Sequence, residues 1–227
     1  MGPYDVVRVL GEGGFGRTLE ARHRVLGLRA CLKVGHRRED DWMLLEEARL
    51  LWDLHHPCLP TLRDLFETER GLVLAMRFVE GTPLGRLDPD SATRVLGRLV
   101  RALKVLHHRG IVHNDIKPAN IILEPDRTGV VLVDFGAASR RPRSASVAPA
   151  YTPVFTAPEV VGGRPPTPES DFYSLGMTIL AALGADLERR IQPPGVPERL
   201  LELLADMTRR EAGRRERDPL ERVKSLL

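Results

Sequence analysis

The residues with the clearest chemistry lie close together, in the run Ile111–Leu123 that reads IVHNDIKPANIIL. This run holds Asp115, a lysine two positions later at Lys117, and an asparagine five positions later at Asn120. A further carboxylate, Asp134, opens the tripeptide Asp-Phe-Gly eleven residues after the run ends. Together these residues offer a proton acceptor, a cation and two oxygen ligands for Mg²⁺, which binds one or two carboxylates and substrate phosphates. The set predicts phosphoryl transfer to a hydroxyl group.

A glycine cluster near the start of the chain, Gly11–Gly16 (GEGGFG), is a second candidate site. Such spacing alone most often marks a tight turn, and a dinucleotide-binding fingerprint would lead from it into a helix. Here it leads into residues 18–22 (TLEAR), which are typical of a strand. A glycine turn between two strands can fold over phosphates and donate backbone N–H groups, because glycine allows close approach. We therefore predict a phosphate-binding turn.

Lys33 follows this turn in a strand-like segment, and it is one of only 4 lysines among 34 basic residues. A lysine withdrawn from water needs a carboxylate partner. Glu47 is the best candidate because it shares a helical face with Leu44 and Leu51, and its neighbour Glu46 is the alternative.

The elements that must position these residues follow from hydrophobic periodicity. In the N-terminal part, strand-like patterns predict short strands at 6–9, 18–22 and 28–34, and the mostly apolar run 72–79 predicts a buried strand. Helical spacing predicts one helix over 40–54, ended by Pro57 and Pro60.

The remainder of the chain is richer in helical patterns. It predicts helices at 91–106, 170–183 and 197–208, with N-cap candidates at 88–91 for the first of them. It also predicts a small strand pair at 121–123 and 130–133, and a long loop over 137–157. Strands followed by helices indicate an α+β layout.

Composition bounds these interpretations. The chain has 227 residues, 42% of them apolar, which is enough for a core and excludes wholesale disorder. No run of about 18 apolar residues occurs, so we expect no membrane-spanning helix and no membrane partner. The formal net charge of +3 comes with interspersed acidic residues, so we expect a solvated surface rather than a nucleic-acid partner. Two cysteines fit a reducing, cytoplasmic location, and nothing indicates the oligomeric state.

Taken together, the motifs resemble a eukaryotic-type serine/threonine protein kinase catalytic domain over nearly the whole chain. They occur in the family's order: the glycine turn, Lys33, His113–Asp115, Asp134–Gly136, Ala157–Glu159 and Asp171–Gly176. The resemblance implies an α+β, bilobal fold with a small antiparallel-sheet N-lobe carrying one helix and a larger, shortened helical C-lobe. The implied boundaries are 1–76 for the N-lobe, 77–81 for a hinge and 82–227 for the C-lobe.

The resemblance also implies ATP and Mg²⁺ as cofactors, with ATP in the cleft between the lobes. The nucleotide-binding residues that it implies are Leu10, Gly11, Glu12, Gly13, Gly14, Phe15, Gly16, Thr18, Cys31, Lys33, Met76, Arg77, Val79 and Ile122. Within this set, Met76 is the gatekeeper, Arg77 and Val79 offer backbone hydrogen bonds to adenine, and Thr18, Cys31 and Ile122 pack against its faces.

Catalytic roles carry over position by position. Asp115 resembles the catalytic base, and Lys117 resembles the cation near the transferred phosphate. Asn120 and Asp134 resemble the Mg²⁺ ligands, while Lys33, paired with Glu47, would hold the α- and β-phosphates.

Further positions match the supporting residues of the family. Asp171 would anchor the backbone of the catalytic loop, and Glu159 would pair with an arginine near the C-terminus, with Arg214 as the candidate. Leu51, Leu62, His113 and Phe135 match a hydrophobic stack that ties the lobes together.

The resemblance implies a protein substrate with a serine or threonine acceptor. Lys117 and Thr152, which lies ahead of Ala157-Pro-Glu159, are features of serine/threonine kinases. Two alternatives stay open: a catalytically weak pseudokinase that acts as a nucleotide-binding scaffold, and a small-molecule kinase. The excess of arginine and the compact chain suggest a bacterial member.

Three departures from the family pattern stand out. Asn114 replaces the arginine that clamps a phosphorylated activation loop, so we predict that activity does not depend on phosphorylation of that loop. Residues 186–197 are expected to form a loop in place of a helix. Residues 209–217, a mixed-charge run, are expected to form a solvated helix face.

Overall fold

The computed structural model describes residues 1–14, 16–125, 129–140, 153–189 and 191–227. These residues divide into two compact units, Met1–Glu80 and Gly81–Leu227. The finer division into lobe, hinge and lobe stays a prediction. The roles predicted for Phe15 and Thr152 fall outside the described residues.

The first unit is built on one five-stranded antiparallel sheet. Its strands are β1 (Tyr4–Gly13), β2 (Gly16–His23), β3 (Arg29–Gly35), β4 (Leu62–Thr68) and β5 (Gly71–Arg77), in the order β1-β2-β3-β5-β4. Helix α1 (Asp41–Leu51) follows a 3₁₀ turn at Arg38–Asp40. This unit confirms the α+β class and the single helix of the N-terminal part.

Strand register sorts the side chains of this sheet onto two faces. Thr18 pairs with Lys33, and Cys31 pairs with Met76, so these four side chains share one face. The opposite face carries the apolar core of the unit, which includes Leu19, Ala21, Ala30, Leu32, Val73 and Ala75. Four of the residues that the family resemblance assigns to the nucleotide therefore lie together, on the side away from this core.

Two boundaries in the first unit differ from the sequence-based predictions. The helix ends at Leu51, six residues before Pro57, so proline does not end it. The strand predicted over 72–79 ends at Arg77.

The second unit begins with small strands and a long helix. Strands β6 (Thr82–Pro83), β8 (Ile121–Leu123) and β9 (Val130–Leu132) form one antiparallel sheet, which confirms the predicted strand pair. Helix α2 (Pro89–His108) is capped by the Asp88 side chain, which accepts a hydrogen bond from the backbone N–H of Ser91.

A further strand pair corrects the prediction of an unbroken loop over 137–157. Strand β7 (Ile111–Val112) pairs with β10 (Ser139–Arg140), and this pairing is antiparallel. The two-residue strands are too short for periodicity to indicate them.

The C-terminal part is helical. It consists of α3 (Pro158–Val161), α4 (Pro168–Leu183), α5 (Glu198–Met207) and α6 (Leu220–Lys224). Helix α4 begins with a Thr167 cap and ends at Gly184, whose φ of 97° lies in the left-handed region. No helix among the described residues has the length and low charge needed to cross a bilayer.

Two predictions for this part have different outcomes. The described residues of 186–197 form a loop, in which Asp186 and Ile191 make an isolated bridge, as expected. Residues 209–217 do not form the expected helix face, since only a 3₁₀ turn occurs there, at Ala212–Arg214. Arg215 in this run is buried rather than solvated.

Candidate active site

The catalytic-loop residues predicted from the sequence meet around the Asp115 carboxylate. Lys117 Nζ lies 2.8 Å from Asp115 Oδ2. Asn120 Nδ2 donates to the same oxygen at 2.8 Å and to the backbone carbonyl of Asp115, also at 2.8 Å. Asn120 is itself buried, at 6% exposure, so the loop fixes both the position and the rotamer of the carboxylate.

Asp171 anchors the backbone of this loop, as the family resemblance implies. Asp171 is 1% exposed and accepts hydrogen bonds from the N–H groups of His113 and Asn114, each at 2.9 Å. Its Oδ2 also lies 2.9 Å from Nε2 of His107, a residue of α2 that sequence reasoning did not single out. This carboxylate therefore ties α4, α2 and the catalytic loop together.

His113 is a structural residue of the loop. Its ring is fully buried and lies edge-on to Phe135, with ring centroids 4.7 Å apart. Burial lowers the pKa of His113, although the nearby carboxylates of Asp171, Asp134 and Asp115 oppose this shift. The imidazole is therefore neutral at physiological pH, and its position supports the loop rather than proton transfer.

Two residues with oxygen ligands lie at adjacent strand ends. Asn120 directly precedes β8 and Asp134 follows β9, and the N–H of Val133 donates to the carbonyl of Asn120 at 2.8 Å. Both Asn120 Nδ2 contacts go to Asp115, which leaves the amide oxygen as the group that can coordinate a cation. Asp134 has a φ of 66°, an uncommon conformation outside glycine that is found at functional sites. One carboxylate and one amide oxygen fit Mg²⁺, which retains waters and phosphate ligands.

In the first unit, Lys33 pairs with Glu47 rather than with Glu46. Lys33 Nζ lies 2.6 Å and 2.8 Å from the two carboxylate oxygens of Glu47. The two side chains are only 14% and 4% exposed, respectively. Glu46 instead pairs with Arg49 on the exposed face of α1. The pairing inferred from the shared helical face is confirmed.

The glycine turn joins β1 and β2, with Gly13 opposite Gly16. At Gly16, β3 approaches so closely that a Cβ atom would overlap the carbonyl oxygen of Val34. His36 Nε2 lies 2.8 Å from the carbonyl oxygen of Gly13 and so ties the turn to the end of β3. Sequence reasoning missed His36, because the contact joins residues that are 23 positions apart.

The residues assigned to adenine differ in backbone hydrogen bonding and in exposure. The N–H of Arg77 donates to the carbonyl of Thr61 at 2.9 Å, so this N–H is already used within the first unit. Met76 is buried at 5% exposure, whereas Cys31 and Thr18 are partly exposed on the same sheet face. Leu10 is 40% exposed at the end of β1.

One predicted ion pair has the wrong arginine. Glu159 pairs with Arg215, not Arg214, through two contacts, including 2.7 Å from Arg215 Nη2 to Glu159 Oε2. Arg214 is exposed, one position earlier. The run RREAGRRER offers several arginines of equal type, so no signal in the sequence distinguishes the one that turns inward.

Comparison with known proteins is consistent with this geometry. Residues 4–188 match the family model described as a protein kinase domain. Serine/threonine-protein kinase 36 of Pongo abelii is 32% identical over 188 residues, which cover 78% of this chain and 14% of that protein. Sperm motility kinase 1 of Mus musculus is 33% identical over 187 residues, which cover 78% of this chain and 38% of that protein. The chain thus spans well under half the length of these relatives.

Proposed function

Because this chain belongs to the protein kinase domain family, we propose that it transfers the γ-phosphate of ATP, with Mg²⁺, to serine or threonine hydroxyls of protein substrates. The observation that carries the proposal is the Asp115 carboxylate, held between Lys117 and Asn120 at 2.8 Å each. A carboxylate fixed in this way can orient a hydroxyl and accept its proton as the phosphoryl group transfers.

Lys117 has two tasks in this mechanism. Its ammonium group orients the Asp115 carboxylate, and it places a positive charge where the transferred phosphoryl group carries negative charge. Its side chain is 22% exposed, so the charge is close to solvent and can meet an incoming substrate. Lysine is a compact point charge with three donors, which suits contacts to two partners at once.

Different residues would hold the metal ion and the phosphates. When bound, Mg²⁺ supplies charge neutralisation on the phosphate oxygens. The Asn120 amide oxygen and the Asp134 carboxylate would hold it. Lys33, fixed by both oxygens of Glu47, would hold the α- and β-phosphates, and the glycine turn would contribute backbone N–H groups.

Serine and threonine are the proposed acceptors for two reasons. Lys117 lies two residues after the proposed base, which is the serine/threonine pattern of the family, and one relative carries the name serine/threonine-protein kinase 36. Since the chain spans only a fraction of its relatives, their substrates are not transferred to it.

Independence from activation-loop phosphorylation is also part of the proposal. Asn114 carries no charge with which to clamp a phosphate. Its N–H is instead bound by Asp171 at 2.9 Å, and β10 pairs with β7 immediately before His113. The Asp171 carboxylate and the backbone pairing of β7 with β10 thus support the segment at this point.

We further propose a reducing compartment, the cytoplasm, as the location. Cys31 and Cys58 are both thiols, and thiols persist where glutathione keeps proteins reduced.

The test is transfer of labelled γ-phosphate from ATP and Mg²⁺ to the protein itself and to a generic serine/threonine peptide. Asp115→Asn should lower the rate by roughly 10²–10⁴-fold, because it removes the proton acceptor. Lys33→Met should also lose activity. The matched controls are Asp53→Asn and Lys224→Met, which change exposed residues outside the site and should keep the wild-type rate.

Three results would contradict the proposal. Equal transfer in Asp115→Asn and wild type would remove the role of the carboxylate. ATP binding without any transfer would favour a scaffold, and label found only on small molecules would favour a small-molecule kinase.

A further inference from the structure

A basic cavity lies in the first unit, where the ends of β2 and β3 meet the β4–β5 turn. Its volume is about 290 Å³, close to the lower end of the range for ligand pockets. Five basic residues contribute to its wall: Arg17, His36, Arg37, Arg38 and Arg70. Among the described residues, no aspartate or glutamate lines it.

The cavity is on the opposite side of the sheet from Lys33. Arg17 pairs with Val34, and Val34 pairs with Val73, so these three side chains lie on one face. Lys33 is adjacent to Val34 in β3 and therefore points to the other face. A ligand in this cavity would not compete with a nucleotide bound at Lys33.

One arginine of the wall has a structural role. Arg38 Nη1 lies 3.3 Å from Glu67 Oε1, and Arg38 Nη2 donates to the carbonyls of Thr68 at 3.2 Å and Glu69 at 3.1 Å. Arg38 therefore fixes the β4–β5 turn. Arg17, Arg37 and Arg70 form no ion pair with any carboxylate of the described residues.

Three carboxylates close in sequence to the lining residues already have partners. Asp40 Oδ2 accepts the N–H of Arg37 at 3.2 Å, and Asp41 Oδ1 accepts the N–H of Leu72 at 3.0 Å. Glu67 pairs with Arg38. Arg17, Arg37 and Arg70 thus line one small cavity without an ion pair to a carboxylate of the described residues, and this concentration of positive charge favours a bound anion.

We propose that this cavity binds a doubly charged phosphate group, either free or as a phosphomonoester. Guanidinium groups match the geometry of phosphate oxygens and form charge-assisted hydrogen bonds with them. Val34, Leu72 and Val73 add apolar wall next to the arginines, which suits the carbon atoms of a phosphorylated side chain. This site does not depend on the proposed kinase activity.

The experiment is a titration of the protein with N-acetyl-O-phosphoserine amide and, separately, with inorganic phosphate, followed by ³¹P NMR line broadening at low ionic strength. The double variant Arg37→Gln/Arg70→Gln should weaken binding by at least about tenfold, because each lost charge-assisted hydrogen bond accounts for about that factor. Arg63→Gln, which changes an exposed arginine of β4 outside the cavity, should bind as wild type does. Lys33→Met, which removes the lysine assigned to the nucleotide phosphates, should also bind both probes as wild type does.

The outcomes separate clearly. Tighter binding of the ester assigns a phosphorylated side chain, and equal binding of both probes assigns free phosphate. The proposal is overturned if neither probe binds, if the double variant binds as tightly as wild type, or if Lys33→Met abolishes the binding. Thermal unfolding of each variant confirms that the exposed substitutions leave the fold intact.

Discussion

Arg215 is fully buried and keeps its charge because its guanidinium group has many acceptors. It forms two contacts with the Glu159 carboxylate, and it donates to the carbonyls of Arg209 at 2.6 Å and Arg210 at 3.1 Å. The guanidinium carbon also lies 4.7 Å from the ring centroid of Tyr173. No other side chain has five donors in this planar arrangement.

We expect Arg215→Lys to destabilise the protein by about 1–3 kcal/mol, because an ammonium group cannot satisfy both Glu159 oxygens and the two carbonyls. Arg214→Lys is the matched control. It changes an exposed neighbour and should alter the free energy of unfolding by less than about 0.5 kcal/mol. Urea unfolding of both variants measures the difference. Equal stability of the two would show that Glu159 does not depend on Arg215.

His113 predicts a pH dependence of stability. Burial holds its pKa in the folded protein below the ordinary value of 6.5, so the unfolded chain binds a proton first as the pH falls. The contribution to stability is therefore complete above about pH 6.5 and declines as the pH falls toward the folded-state pKa. We expect the free energy of unfolding of His113→Phe to fall less than that of wild type between pH 7 and pH 5, because one titrating group has been removed. The substitution keeps an aromatic ring against Phe135.

The control for this prediction is His55→Gln, since His55 is exposed. Its stability should follow the wild-type pH profile. If His113→Phe loses as much stability on acidification as wild type, other groups control this pH range.

The glycine turn shows how one strand constrains its neighbour. We expect Gly16→Ala to destabilise the first unit by about 1–3 kcal/mol and to raise KM for ATP, because its Cβ would overlap the Val34 carbonyl and push β2 from β3. Gly85→Ala is the matched control, since Gly85 lies outside the glycine turn and nothing lies within 4 Å of its Cβ position. Chemical unfolding measures the stability of both variants, and initial rates at varied ATP concentration give KM for ATP. A Gly85→Ala variant more damaged than Gly16→Ala would contradict the role of strand contact.

Local pattern predicted most elements, and it failed where pairing with a distant segment decides the structure. Strands β2 and β3 and helix α2 have enough residues to show a period. Strand β4, Leu62–Thr68, reads LRDLFET and is only partly buried, so its alternation was not recognised. It is a strand because β5 pairs with it along its length. The two-residue strand β10 exists only through β7.

The same distinction holds for the candidate site. Asp115, Lys117 and Asn120 are within five positions of one another, so their spacing in the sequence was enough to predict their contact. The contacts that sequence reasoning missed or misassigned span longer separations. His36 reaches Gly13 across 23 positions, and Arg215 reaches Glu159 across 56. Local periodicity does not indicate which residue of a distant segment is buried against the site.

Several charged side chains of the described residues form ion pairs in the C-terminal part of the chain. Asp206 lies 2.5 Å from Arg209 and 2.6 Å from Arg222, and these hydrogen bonds hold its pKa below the ordinary range. Lys104 lies 2.6 Å from Asp218. The formal net charge of +3 follows from the counts alone, since 34 basic residues face 31 acidic ones.

The backbone contacts beside Asn114 lead to a prediction about regulation of the whole molecule. Phosphatase-treated protein should phosphorylate a serine/threonine peptide at the same rate as untreated protein, with phosphate content checked by mass spectrometry. The reason is that Asn114 offers no charge to a phosphate, whereas Asp171 and the β7–β10 pair hold the adjacent backbone without one.

Single alanine variants of the hydroxyl residues of 137–157 should also keep the rate: Ser139, Ser144, Ser146, Thr152 and Thr156, of which the middle three lie outside the described residues. A large loss at Ser144 or Ser146 that aspartate restores would show that phosphorylation is required, and Asn114→Arg would then be expected to strengthen that dependence.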